Sequence, residues 1–495
     1  MKNLTALRNT LLAQLRSRIE CPSYDRSRTT PGVAHIGVGG FNRSHLAVYL
    51  DDLLSQGDSK RWGESGIGLL EGDRKLHEAL TGQDCLYGLL LMDNSDVSYR
   101  VIGSLIRHVY APTARADALE SMASRGIVSL TVTEGGYFID DTTHKFFDDH
   151  PDIRRDLEQP DQPGTWLGLV AESCVRRMNN GGAGFTLLSC DNVQENGATA
   201  RKALLSFAEL RNSSLRQWIE RNVSFPNSMV DRITPRTTDE NRAEIARKFG
   251  VEDLAPVVCE PFRQWVLEDS FAAGRPAWER AGVQMTSDVA PYEKMKMRLL
   301  NGGHSTVGYA ADLLGYSDIA ESVGDRDLRA LLQRFMAEVR PTLSPLPGID
   351  LDEYSNSILN RFSNAAIRDQ VARICSDGCA KIAKFIVPSL RDRLSAGLSP
   401  GILSFVIASW LHYLRGFDEN RREMTIADSG LACLNDFREQ GCADARLALE
   451  ACAVFGDLAA TYPQATAAIQ SCLDHLRSQG VRAAIERTLE ASRAA

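Results

Sequence analysis

The stretch Pro291–His304 holds the densest set of groups able to move a proton and steady a developing charge: Glu293, Lys294, Lys296, Asn301 and His304. On a helix turning ~100° per residue, with Lys296 at zero, Glu293 falls at about 60°, His304 at about 80° and Asn301 at about 140°. All four can then face one cleft. Lys294 falls near about 160°, so helical geometry does not choose between the two lysines. Gly302-Gly303 loosens that geometry further. The set suits oxidation of an alcohol without a metal ligand. Hydride leaves a carbinol carbon only as the hydroxyl proton is lost. A lysine enclosed in a cleft gives up its own proton more readily and can act as the base. Asparagine N–H groups can hold an alkoxide, and histidine can orient a neighbouring hydroxyl. An amphipathic helix with a charged outer face would carry the same residues.

Such chemistry needs a hydride acceptor, and Val33–His45 is shaped for one. An apolar run enters Gly37-Val38-Gly39-Gly40-Phe41-Asn42-Arg43, and a helical pattern follows. Glycines there permit a tight turn and close approach of the backbone to a pyrophosphate, at the N–H end of a helix. The third position of G-x-G-x-x-G is Asn42, so the motif alone is also compatible with a plain strand-to-helix turn. Acids able to hold an adenosine ribose follow the next apolar run, at Glu71 and Asp73. An acid there favours NAD over NADP, although Arg74 and Lys75 could grip the extra phosphate. Asn192, after the run Phe185–Ser189, lies where ligands bind in doubly wound sheets and could be a second alkoxide donor, or an ordinary turn residue.

The elements that must position these groups change character along the chain. Runs at Val33–Gly39, Ile67–Leu70, Ile127–Thr133, Phe185–Ser189 and Val257–Cys259 read as strands. Helical patterns at Ser44–Ser55, Ala116–Ala123, Trp166–Met178 and Ala198–Leu210 lie between several of them. That alternation predicts a mostly parallel sheet covered by helices. Leu86–Asp93 and Tyr99–Tyr110 are expected as an extra strand pair inserted in it. The first twenty residues, with Leu4, Leu7, Leu11, Leu12, Leu15 and Ile19 on one stripe, are expected as a surface helix on the first domain. After about residue 290 strand signals nearly vanish, which places a boundary near 285–292, and Gly401–Leu414 reads as a buried helix.

Composition narrows the partners. The 495 residues include 56 Lys+Arg against 64 Asp+Glu, a net charge of -8 that argues against nucleic-acid or basic membrane-surface binding. No run reaches the ~18 apolar residues of a membrane span. The 11 cysteines show no zinc spacing; Cys375 and Cys379 are separated by three residues. They read as reduced packing residues of a cytoplasmic protein, with no part in the chemistry.

Taken together, several stretches resemble the long-chain polyol-specific dehydrogenases. They are Gly37–His45, Thr131-Val132-Thr133-Glu134-Gly135-Gly136-Tyr137, Ser189-Cys190-Asp191-Asn192, Met229–Pro235, Cys259–Trp265 and the Lys296…Asn301…His304 set. The resemblance spans nearly the whole chain, in order. It implies Lys296 rather than Lys294 as general base, Asn192 and Asn301 as the alkoxide pair, His304 as substrate-orienting group and Glu293 as proton relay. It further implies Arg373, Lys381 and Asp231 at the substrate. Gly37, Gly39, Gly40, Phe41, Arg43, Thr133, Glu134 and Gly135 would lie at the cofactor. The family often has His at the position of Asn42 and Ala at that of Ser44, so the phosphate loop departs from its pattern here.

The expected architecture is α/β: a Rossmann-type doubly wound domain over residues 1–288, then a mostly α-helical substrate-binding and catalytic domain over 289–495, with the active site in the cleft between them. The expected activity is NAD-dependent interconversion of a polyol and its 2-ketose, D-mannitol and D-fructose foremost. The segment Arg361–Phe385, with Arg373, favours mannitol over D-mannonate and D-fructuronate. Those sugar acids, D-arabinitol, and a non-catalytic nucleotide sensor are the alternatives. NADP stays open as cofactor. The chain is expected as a monomer or small homo-oligomer with no nucleic-acid or membrane partner.

Overall fold

The computed structural model describes residues 4–57, 60–94, 96–140 and 143–494. They fall into two compact units, Met1–Ala290 and Pro291–Ala495.

The first unit is built on six parallel strands: β1 (Pro31–Ile36), β2 (Gly63–Gly68), β3 (Leu105–Tyr110), β4 (Ile127–Leu130), β5 (Phe185–Ser189) and β6 (Val223–Ser224). Their spatial order is 3-2-1-4-5-6, the doubly wound order of Rossmann-type domains. Successive side chains alternate between faces. Ala34, Ile36, Val128, Leu130 and Leu187 pack under helices Arg115–Ala123, Trp166–Asn179 and Asn196–Arg211. Val33, Ile127 and Leu188 pack on the opposite face, with helix Leu46–Ser55 and with Trp265 and Trp278.

Several strand expectations are corrected. The run Val257–Cys259 does not join the main sheet. It pairs parallel with Tyr87–Met92, which pairs antiparallel with Val97–Ile102 in a separate three-stranded sheet. The expected inserted pair is therefore mostly outside the main sheet, and only Leu105–Tyr110 enters it. Gly103 and Ser104 divide that run: the Gly103 N–H donates to Asp51 at 2.9 Å and the Ser104 hydroxyl to the Ala47 carbonyl at 2.6 Å. β1 stops at Ile36 because Gly37 takes a φ of 92°. β2 begins four residues before the apolar run that predicted it. The sequence Gly-Glu-Ser-Gly-Ile-Gly is a poor strand former, but a Cβ on Gly66 would sit 2.5 Å from Val38. Close packing thus outweighs propensity there.

The N-terminal helix shrinks to Leu12–Leu15 after a 3-10 turn, Asn9–Leu11. Thr5–Ala6 instead pairs with Val251–Glu252. Its apolar stripe is still used: Leu7, Leu12, Leu15 and Ile19 pack against Leu86, Leu90, Tyr99 and Val101 of the small sheet. The helix predicted from Ser44 is two helices, Gly40–Ser44 and Leu46–Ser55, broken at His45.

The second unit is helical; beyond Thr286 no strand occurs among the described residues. Helix Gly401–Tyr413 is buried from Ile402 to Tyr413. It packs on helices Gly302–Leu313, Arg326–Val339, Pro463–Gln479 and Val481–Ala494. Glu338 caps its start by accepting the Ile402 N–H at 2.9 Å. No helix among the described residues is long and apolar enough to cross a membrane.

Candidate active site

In the first unit the motif residues collect at the carboxyl ends of β1, β2, β4 and β5. Strand order reverses between β1 and β4, which is the ligand-binding crevice of such sheets. Gly37 lies beside Thr131 across that point. A Cβ on Gly37 would stand 2.1 Å from the Thr131 carbonyl, so the turn has room only for glycine. Gly39 and Gly40 then open the short helix, and a Cβ at Gly40 would meet nothing closer than 3.5 Å. Phe41 stacks on His45 at 4.8 Å. Arg43 is buried, and its guanidinium donates to the carbonyls of Gly39, at 3.1 Å, and Ala255, at 2.5 Å, bracing the loop from its own backbone.

Asn42 occupies the third glycine position and donates to Glu64 of β2 at 3.1 Å. Both are buried. Burial raises the Glu64 carboxyl from 4.5 to about 8, against the opposing Asn42 hydrogen bond. Between these values the folded chain keeps a proton that the unfolded chain has released. Stability from this group is therefore full below about pH 4.5 and falls as pH rises to about 8. The slope approaches ~1.4 kcal/mol per pH unit. Glu64→Gln should flatten that decline in denaturant melts at pH 5 and pH 8.5. Equal losses in parent and variant would contradict a protonated Glu64.

After β2 a 3-10 turn carries Glu71, which is exposed, and Asp73, whose carboxylate accepts the Leu70 N–H at 2.8 Å. After β4 the segment Thr131–Tyr137 is held by a residue that sequence reasoning had not singled out. Asp191 accepts the N–H groups of Val132 and Thr133, at 3.1 and 2.8 Å, and the Tyr137 hydroxyl at 2.7 Å. These bonds fix Thr133 at φ 64°, a costly backbone for a β-branched residue. Burial raises the Asp191 carboxyl while its three donors pull it down. Glu134 and Gly135 follow on the exposed rim, and Asn192, next to Asp191, is also exposed. Asp231 is buried at the end of strand Ser228–Asp231.

In the second unit Glu293, Lys296, Asn301 and His304 lie on one helical run from Ala290 to Leu313. The run is not uniformly α-helical, as the ~100° spacing assumed. Lys296–Asn301 forms a π-helical turn. Such turns widen the helix by one residue and recur at functional sites. Glu293 and Lys296 are buried, and Lys296 is only 7% exposed. Lys294 instead points to Asp392, 3.3 Å away, which also pairs with Arg298 at 2.8 Å.

His304 stacks face to face on Phe362, with centroids 3.9 Å apart. Its Nε2 lies 3.7 Å from Asp369 Oδ2. Asp369 Oδ1 accepts Arg373 Nη2 at 2.6 Å, so this carboxylate joins two predicted site residues. Its signal in the sequence was the i,i+4 spacing Asp369…Arg373. Gly308 lets the Arg373 segment approach the His304 helix, since a Cβ there would sit 2.7 Å from Ile374. Lys381 Nζ donates to the carbonyls of Arg373 and Ile374, at 3.2 and 2.9 Å, and burial lowers its pKa. A second π-helical turn, Ile382–Ile386, begins directly after it and packs against the first.

Comparison with known proteins agrees along the whole chain. Residues 31–280 match the mannitol dehydrogenase Rossmann domain and residues 288–477 the mannitol dehydrogenase C-terminal domain. A mannitol 2-dehydrogenase of Phaeosphaeria nodorum is 40% identical over 490 residues, covering 98% of this chain and 84% of that protein. The ternary complex of Pseudomonas fluorescens mannitol 2-dehydrogenase with NAD and D-mannitol superposes with a TM-score of 0.86. It is 41% identical, covering 98% of this chain and all of that one (100%). A substrate-free D-sorbitol dehydrogenase gives 0.91 at 36% identity, covering 97% of this chain and 100% of that one. The chain belongs to the mannitol dehydrogenase family.

Proposed function

We propose that this is an NAD-dependent, metal-independent secondary-alcohol dehydrogenase of the cytoplasm that interconverts D-mannitol and D-fructose. The observation that carries the reading is the buried Lys296 at the head of a π-helical turn, on one run with Glu293, Asn301 and His304. The kinship with mannitol 2-dehydrogenases supports the substrate. Among the described residues no group of three His, Cys, Asp or Glu side chains is arranged to hold a metal, and all 11 cysteines are free thiols, as suits a reducing compartment.

The Gly37 turn fits a dinucleotide, because the missing Cβ leaves backbone open at the strand-order reversal. Gly37, Gly39 and Gly40 would hold the pyrophosphate through backbone, with Phe41 and Arg43 shaping the loop. Thr133, Glu134 and Gly135 would line the cofactor across the reversal. Glu71 is the better ribose ligand, since Asp73 is engaged by its own turn. NAD, when bound, accepts the hydride.

Lys296 takes the proton of the reacting hydroxyl, and Glu293 passes it onward. Asn301 and Asn192 donate N–H bonds to the developing alkoxide, worth most where water is excluded. His304, held by Phe362 and Asp369, orients an adjacent hydroxyl. Arg373, Lys381 and Asp231 contact the rest of the polyol. The test is an initial-rate panel of mannitol, sorbitol, arabinitol and mannonate, each with NAD and NADP. Mannitol with NAD should give the highest kcat/KM, by about tenfold or more, a difference of ~1.4 kcal/mol in transition-state binding. A preference for mannonate, or for NADP, would contradict the reading.

A further inference from the structure

The cysteines were read as inert packing, and three of them do not fit that description. Cys379 opens the short helix Gly378–Lys381, Cys433 lies in the 3-10 turn Leu431–Leu434, and Cys452 ends helix Ala445–Ala451. Their separation along the chain hides the fact that their sulfurs meet. The Cys379 and Cys433 side chains both hydrogen-bond to Cys452. Cys433 also bonds to the Gly430 carbonyl at 3.3 Å. Cys379 and Cys452 are buried, whereas Cys433 is partly exposed and opens the cluster to solvent. No metal-holding arrangement exists at this cluster.

The cluster is tied to the segment that carries Arg373 and Lys381. Asp377 N–H donates to the Ala427 carbonyl at 2.8 Å, and Cys379 N–H to Asp428 at 2.8 Å. Asp428 also accepts the Gly430 N–H at 2.9 Å. A Cβ on Gly430 would lie 2.7 Å from Cys379 Cβ, and one on Gly378 would lie 2.3 Å from Trp410 Nε1. A helix start packed this closely cannot shift without moving its neighbours. Lys381, three residues on from Gly378, is held only through its own segment, by the Arg373 and Ile374 carbonyls.

We propose that Cys379, Cys433 and Cys452 form a peroxide-oxidisable thiol site, in which Cys452 is the attacking sulfur and Cys379 the resolving one, and whose disulfide displaces the Arg373–Lys381 segment. The Cys452 thiolate attacks one oxygen of hydrogen peroxide, the O–O bond breaks, and hydroxide leaves to be protonated as water. The resulting sulfenic acid is attacked by the Cys379 sulfur, which forms the S–S bond and releases a second water. Two thiols and one peroxide thus give one disulfide and two waters. The two S–H donors stabilise a thiolate at Cys452 and draw it down from 9.0 to about 6 despite burial. At neutral pH this sulfur is the nucleophile of the set.

The covalent part needs no assumption about activity. Peroxide treatment of the full-length protein, followed by alkylation and non-reducing peptide mapping, should show a Cys379–Cys452 cross-link that dithiothreitol reverses. Cys452→Ser should abolish it. Cys433→Ser should retain it, which keeps the test open if the buried variant folds poorly. Oxidation confined to Cys21 or Cys472, or a cross-link through Cys433, would overturn the assignment. The coupling to Arg373 and Lys381 rests on their proposed role as substrate contacts. The oxidised enzyme should show KM for the polyol raised about threefold or more with NADH affinity unchanged, as expected when substrate contacts alone are disturbed. A quantitative cross-link with unaltered KM would overturn the coupling and leave the proposed activity standing.

Discussion

Lys296→Ala should lower kcat for polyol oxidation by about 10²–10⁴-fold, the usual contribution of a positioned general base, while NADH binding stays within about twofold of the parent. The side chain opens the π-helical turn and is almost enclosed. Its removal takes away the proton acceptor and touches none of the glycine-loop backbone of the first unit. Steady-state rates and fluorescence titration with NADH separate these effects. Methylamine should restore part of the lost turnover by occupying the space of the side chain. Lys294→Ala is the comparison, because Lys294 is half-exposed and paired with Asp392. It should change kcat by less than about threefold, in line with the small worth of exposed ion pairs. A large loss in Lys294→Ala with a small one in Lys296→Ala would exchange the two assignments.

Gly37→Ala should cost both cofactor binding and stability. At φ 92° an alanine is strained by about 1–3 kcal/mol before any contact is counted. Its Cβ would also lie 2.1 Å from a main-chain carbonyl, that of Thr131, and a backbone atom cannot rotate away. Thr131 in turn donates its hydroxyl to the Gly37 carbonyl at 2.6 Å and contacts buried His35 at 2.9 Å. The displacement therefore spreads across both strands of the switch point. NADH affinity should fall about tenfold or more, ~1.4 kcal/mol, and the melting temperature should drop. Gly82→Ala is the control: a Cβ there meets nothing within 4 Å, and any change should stay within about 0.5–1 kcal/mol. Unchanged NADH affinity in Gly37→Ala would remove the glycine turn from the cofactor site.

The features legible in the sequence were those with strong local signals. Alternating apolar runs announced β1, β4 and β5, and the helices between them lie within two residues of their expected ends. The wholly apolar pattern of Gly401–Leu414 announced a buried helix. Features set by distant contacts were not legible. β2 is rich in glycine because neighbouring chains press on it, which no local propensity reports. The run Val257–Cys259 has an ordinary strand pattern, and nothing in it chooses between two sheets. The π-helical turn moves the residues after Lys296 off the assumed spacing. Asp191 and Asp369 act by holding other residues rather than by carrying a motif, so only coordinates reveal them. The thiol cluster joins positions 379, 433 and 452 and has no spacing signature at all.

The central claim, hydride transfer from C2 of mannitol to NAD, is tested most directly with D-mannitol carrying deuterium at C2. The account predicts reduced nicotinamide that contains the deuterium, unlabelled D-fructose, and a slower rate than with ordinary mannitol under conditions where chemistry limits turnover. Reduced nicotinamide without deuterium, or label retained in the sugar product, would contradict it.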